Sequence, residues 1–140
     1  FITFATVIAA SWRVSRLDVV AAIRDLPVAR IGHGVRSAED PALMAELVRR
    51  GIVLEVCPGS NVALGLYANR EAHPLHRLID AGVPVTLNSD DPPFFHTTLG
   101  TEYAMAGLNE EELRRITRRT IEASFVDADT KRRLLEKVLP

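Results

Sequence analysis

One cysteine, Cys57, is all the chain has. An internal disulfide and a cysteine-rich zinc knuckle are therefore excluded, and the usage points to a reducing cytoplasm. Long hydrophobic runs are missing too. The most apolar stretch, residues 1–12, is shorter than the roughly 20 residues that span a bilayer and has no basic leader. No initiator methionine opens the chain, so residues 1–17 read as a truncated start. Excess charge of either sign is absent: 17 Lys+Arg stand against 18 Asp+Glu over 140 residues, which argues against nucleic acid or an anionic membrane as partner. No low-complexity linker divides the sequence, and its length fits one globular domain.

What is present is a repeating pattern. From about Asp18 onward, helical periodicity alternates with short apolar runs that end in glycine, proline or polar clusters, as in successive βα units. Strands are expected at residues 28–31, 52–56 and 83–87, with room between them for crossover helices and hence parallel pairing. Asp40 and Pro41 open a helix whose stripe is Leu43, Met44, Leu47 and Val48, and Gly51 stops it. A second helix at 74–81 carries Leu75, Leu78 and Ile79 and ends at Gly82. Asn109 before Glu110, Glu111 and Glu112 marks a third. Its Arg114, Arg115, Arg118 and Arg119 read as a solvated face. A last helix at 128–138 is expected to dock Leu134, Leu135 and Val138.

Each expected strand ends in polar residues, and parallel α/β folds gather such ends around one pocket. The first end is Gly32-His33-Gly34, whose glycines allow unusual backbone angles and leave the imidazole uncrowded. The second offers Glu55, Cys57, Ser60 and Asn61; the third offers Asn88, Ser89, Asp90 and Asp91. A histidine and two acids converging in one pocket suit metal-assisted or general acid/base hydrolysis. Taken singly, Gly-His-Gly also fits a tight turn, and Asp-Asp-Pro a capping acid. Cys57 reads as buried filler. His73 and His76, three apart around Pro74, read as surface residues of the outer helix layer.

Three segments in order, Arg30-Ile-Gly-His-Gly34, Leu54-Glu-Val-Cys-Pro-Gly-Ser-Asn61 and Leu87-Asn-Ser-Asp-Asp-Pro92, resemble the later motifs of the adenosine deaminase family. The resemblance runs from Asp18 to the carboxyl terminus. It implies an α/β fold, with residues 18–140 forming the C-terminal half of a (β/α)8 TIM barrel that stays incomplete in this chain. It also implies Zn2+ as cofactor, hydrolytic deamination of adenosine to inosine and ammonia in the intact parent, and a purine nucleoside as partner. By the same resemblance Asp90 is the carboxylate ligand of the metal. Asp91 would hydrogen-bond the imidazole edge of the purine, if the chain turns at the strand end to present both acids. His33 would hydrogen-bond the zinc-bound water, helping to deprotonate and aim it.

The family's other zinc ligands, a His-x-His pair and a His-Ala-Gly-Glu motif, are missing. The latter should fall near Val7 to Trp12, which read Val-Ile-Ala-Ala-Ser-Trp. Permitted codons for Val7 to Arg16, read from the third base of the valine codon, can spell His-x-Gly-Glu, so residues 1–17 are expected to come from a shifted frame. One zinc ligand of four cannot hold the metal. A half-barrel with open edges and an uncovered inner face is expected to self-associate, by aggregation or by pairing with another copy, or else to stay loosely packed, and to be inactive alone. Adenine or a modified adenosine is the alternative substrate; adenosine is favoured because residues 30–34 and 90–98 are more similar to the bacterial adenosine enzymes. His96 with Phe94 and Phe95 either lines the pocket mouth or packs its loop. A non-catalytic scaffold is the alternative of another class.

Overall fold

The structure, a computed structural model, describes residues 27–138; the expected boundary at residue 18, the frame-shifted segment 1–17 and the apolar stretch 1–12 lie outside them. Three strands, β1 (Arg30–Gly32), β2 (Val53–Val56) and β3 (Val85–Leu87), form one parallel sheet in the order β1-β2-β3. Registers Arg30↔Val53 and Ile31↔Leu54, then Leu54↔Val85 and Val56↔Leu87, bring the strand ends level. The ladder continues past the strands, because the amide of His33 donates to Glu55 O at 3.0 Å and that of Asn88 to Val56 O at 2.9 Å.

The connections are right for parallel strands, which need a crossover. Between β1 and β2 lie a 3₁₀ turn (Val35–Glu39) and α1 (Pro41–Arg50); between β2 and β3 lie α2 (Pro58–Ala63) and α3 (Leu75–Asp80). The Asp40 carboxylate accepts from the amides of Ala42 and Leu43 at 2.9 and 3.2 Å, Pro41 fills the first helical position, and Gly51 closes α1 at φ 65°. This satisfies first-turn donors that have no intrahelical partner. Leu47 of α1, Leu78 of α3 and the alternate strand residues Leu54, Val56, Val85 and Leu87 make the core, each under 5% exposed. Val48, expected on the stripe of α1, is instead 41% exposed, the buried arc of the helix being Met44 and Leu47.

After β3 come α4 (Pro92–Phe95), α5 (Leu99–Ala104), α6 (Glu110–Ala123) and α7 (Ala128–Glu136). A capping box starts α6: Asn109 accepts from Glu112 N while Glu112 accepts from Asn109 N. Its arginines pair along the exposed face, Arg114 with Glu110 and Arg118 with Glu122, as a solvated face should. Helix α6 packs on β3 and buries Ile116. One cleft is bordered by Arg30 and Val53 together with Ala123 and Phe125, another by Gly32 and Glu55 together with Tyr103 and Thr120. The sheet face that was expected to lie uncovered therefore faces α5 and α6. Arg30 ties the two layers, 3.3 Å from Glu55 and 3.9 Å from the centre of the Phe125 ring. The docking expected of the last helix is only partial: α7 fully buries no residue, Leu134 is 37% exposed, Leu135 and Val138 are half-buried, and the helix leans on α6 through Lys131 Nζ donating to Glu122 O at 2.7 Å. Among the described residues no helix is long and apolar enough to cross a membrane.

Gly34 is the tightest point of the first crossover. Its φ is +67°, and a Cβ there would stand 2.9 Å from Leu54 Cδ2, a side chain with no exposed surface to move into. Left-handed backbone costs an L-residue about 1–2 kcal/mol before any clash. Gly34→Ala should thus lower the stability of the chain by about 2 kcal/mol, read as a fall in urea midpoint at unchanged m-value; an unchanged midpoint would contradict this account of the turn.

Candidate active site

At the ends of the strands the backbone does something that strands do not. His33 has φ 56° and Asp90 φ 58°, left-handed conformations that non-glycine residues adopt uncommonly. The unusual angle expected of the flanking glycines thus falls on His33 itself and on Gly34. The two turned residues face each other: His33 Nε2 lies 3.7 Å from Asp90 Oδ2, with the imidazole about half exposed. They border an open cleft of about 440 Å³, with Glu55, Cys57, Asn88 and Ser89 on its wall. Two of the three described non-glycine residues with such left-handed angles, the third being His96, thus meet at one cleft, and backbone strain of this kind clusters at functional sites.

Asp91, expected beside Asp90 in the pocket, does not border this cleft. It is exposed and stands at the cap position of α4, where its backbone carbonyl accepts from Phe94 and Phe95 and its carboxylate makes no capping bond. The turn at Asp90 aims one acid inward and leaves the next outside. Phe94 is 71% exposed, its ring edge-on to Phe95 at 5.1 Å, and neither aromatic nor His96 borders the cleft.

Behind the cleft lies a polar layer. His33 Nδ1 is 3.4 Å from Asn61 Nδ2, and Asn61 Oδ1 is 3.0 Å from His73 Nε2. His73 is 5% exposed, which corrects the expectation of a surface residue. Its Nδ1 accepts from the amide of Leu75 at 3.2 Å and so caps α3, which has no serine, threonine or acid at that place. Such a donor needs an acceptor from somewhere, and that need was the available signal. His76 is also engaged, Nε2 being 3.0 Å from Ala106 O.

A second buried group holds α2, and with it Asn61. Glu102 has no exposed surface; it receives both Arg70 Nη atoms at 3.1 and 3.2 Å, the amide of Gly59 at 3.0 Å and the hydroxyl of Thr97. A Cβ on Gly59 would collide with the Glu102 carboxylate. Nothing in the local sequence around Glu102 distinguishes it from a solvated helix acid.

The donor set bears on metal binding. One ligand atom each from His33, Cys57 and Asp90 lie within 4.8 Å of one another. Cys57 is poorly suited, because burial, helped by the charges of Asp90, Glu102 and Glu55, pushes its thiol up to about 12 and keeps it protonated. It is the buried filler that was expected. Asp90 fits: a carboxylate at the cleft edge, facing an imidazole at 3.7 Å, is a suitable oxygen ligand for a hydrolytic divalent ion.

The described residues thus form a parallel α/β sheet of the kind found in part of a TIM barrel, with a histidine and a carboxylate facing each other across its strand ends. The family model described as adenosine deaminase matches residues 7–140, and the chain belongs to the adenosine deaminase family. An adenine deaminase of Sinorhizobium medicae is 57% identical over 111 residues, 76% of this chain and 34% of that protein. The structure of an adenine deaminase from Arthrobacter aurescens superposes with a TM-score of 0.79 at 31% identity, covering 86% of this chain and 38% of the other. An amidohydrolase from Burkholderia ambifaria with bound Zn gives 0.75 at 27% identity, over 86% and 35%. The chain spans about a third of the length of the curated relatives it matches.

Burial also sets a pH dependence. It lowers His73 to about 4, the nearby Arg70 adding to the effect, against about 6.5 in an unfolded chain. The unfolded state binds the extra proton, so the contribution is whole above about pH 6.5 and is lost as pH falls toward 4. The chain should lose about 2–3 kcal/mol between pH 7.5 and pH 4 through this residue, and His73→Gln should flatten that part of the urea-midpoint profile. A profile equally steep in the variant would contradict the assignment.

Proposed function

We propose that this chain is the strand-end half of the active site of a zinc-dependent deaminase that removes the 6-amino group of a purine, with adenine as substrate. The observation that carries the reading is the approach of His33 to Asp90, at 3.7 Å, from the ends of the two outer strands of one parallel sheet. Adenine is favoured over adenosine because relatives from Sinorhizobium medicae and Agrobacterium fabrum, 57% and 55% identical, carry the name adenine deaminase; the similarity of residues 30–34 and 90–98 to the adenosine enzymes supports the nucleoside less strongly. The reaction joins water to the C6 position and releases ammonia.

In this reading Asp90 is one ligand of the zinc, and the other three come from outside the described residues. When bound, the metal supplies a nucleophile at neutral pH by lowering the pKa of water. His33 stands within reach of an oxygen held beside Asp90 and fixes its direction toward the purine. Its hydrogen bond strengthens as charge gathers on that oxygen. Asp91 would meet the imidazole edge of the base, which requires the exposed carboxylate to be covered by bound substrate or by the remaining barrel. The cytoplasm is the compartment that suits a cysteine held in no disulfide, Cys57.

A chimera tests this without changing the activity under study: the Sinorhizobium medicae enzyme with its matching 111-residue segment replaced by that of this chain. It should release ammonia from adenine faster than from adenosine and bind one zinc. Asp90→Ala in the chimera should cost at least about a hundredfold in metal affinity, and His33→Ala about a hundredfold or more in kcat with zinc retained. The 140-residue chain alone should hold no stoichiometric zinc. Tight one-to-one binding by the chain alone, or a folded chimera loaded with zinc and inert toward both purines, would overturn the reading.

A further inference from the structure

The polar layer behind the cleft has a direction. The amide of Leu75 can only donate, so the nitrogen it meets at 3.2 Å, His73 Nδ1, must accept. A neutral imidazole has one N–H, and burial keeps His73 neutral; its proton therefore sits on Nε2, which donates to Asn61 Oδ1 at 3.0 Å. With the amide oxygen engaged, the Asn61 nitrogen must be the group turned to His33 Nδ1 at 3.4 Å. That nitrogen in turn must accept, which leaves the proton of His33 on Nε2, the atom facing Asp90 Oδ2 at 3.7 Å. Every donor in the series points the same way, from the start of α3 toward the cleft.

We propose that Asn61 and His73 are positioning residues that fix His33 as its Nε2–H tautomer, so that the neutral ring presents a hydrogen-bond donor, and not a lone pair, to the oxygen-binding side of the cleft. This deepens the deaminase reading and rests on it for its catalytic meaning. It changes the part expected of His33: a nitrogen that already carries its proton steadies an oxygen as donor and does not take a proton from it in the neutral ring. Of the two parts that the family resemblance implies for His33, deprotonating the water and aiming it, the aiming remains. The arrangement also explains two choices that sequence leaves arbitrary. Asn61 is 4% exposed and needs an amide, since it must accept on one side and donate on the other. His73 needs a ring nitrogen on each side to link a helix amide to Asn61.

The 140-residue chain has four histidines, few enough to assign by single substitution, so the tautomers can be read directly. In ¹⁵N-histidine-labelled chain near pH 8, above the ordinary histidine pKa of about 6.5, long-range ¹H–¹⁵N correlations should show His33 and His73 both with pyrrole-type Nε2 and pyridine-type Nδ1. Because free imidazole already leans to that form, the decisive variant is Asn61→Asp, which is nearly isosteric and removes the donor. His33 should switch to the Nδ1–H form while His76 and His96 keep their resonances. His73→Leu, which does not touch His33, should leave its two tautomers mixed. An Nδ1–H signal from His33 in the unmodified chain overturns the proposal whether or not the variants fold, as does an Nε2–H signal that survives Asn61→Asp in a folded chain. None of these readings depends on metal or turnover, so a chimera that fails to deaminate purines would end the functional reading and leave the tautomer result standing.

Discussion

The site exists because three short strands pair in parallel with their ends level. A slip of one residue would send every side chain to the opposite face of the sheet. Here the register is pinned from both directions, by the burial of Leu54, Val56, Val85 and Leu87 in the core and by ladder bonds that run on through His33 and Asn88. With the ends fixed, a left-handed turn at His33 and another at Asp90 suffice to swing an imidazole and a carboxylate toward each other. Each turn costs on the order of 1 kcal/mol for a residue with a Cβ, and the surrounding pairing holds both in place.

The helical crossover between the second and third strands does more than return the chain. It places Asn61 in the first turn of α2 and His73 just before α3, and hydrogen bonds link the two to each other and to His33. Among the described residues no buried side-chain nitrogen or oxygen lacks a partner. A polar layer of this kind is stable only when complete, because an unpaired buried donor or acceptor costs about 1–3 kcal/mol. Glu102 serves the same region. Its carboxylate gathers Arg70, Thr97 and the amide of Gly59 and so anchors the start of α2 at a fixed distance from the cleft.

Much of this was legible in the sequence where local chemistry decides the outcome. Apolar runs flanked by breakers found all three strands to within two residues, Asp40-Pro41 and Asn109 with Glu112 found two helix starts, and the ordered motifs found His33 and Asp90. What escaped depends on contacts between distant segments. The short helices α2, α4 and α5 bury too few turns to show a period. His73 looks like any histidine beside a proline until the fold closes Asn61 over it. The leucines of α7 have helical spacing but meet no core, and Asp91 differs from Asp90 only in which way the backbone turned one residue earlier.

The account stands or falls on the meeting of residues 33 and 90. Nuclear Overhauser contacts between the His33 ring proton Hε1 and the Asp90 methylene, measured beside the Leu54–Val85 contacts that report the sheet register, test it most directly. An imidazole 3.7 Å from the carboxylate predicts both sets of cross-peaks together. Sheet contacts present with no transfer between His33 and Asp90 would contradict it.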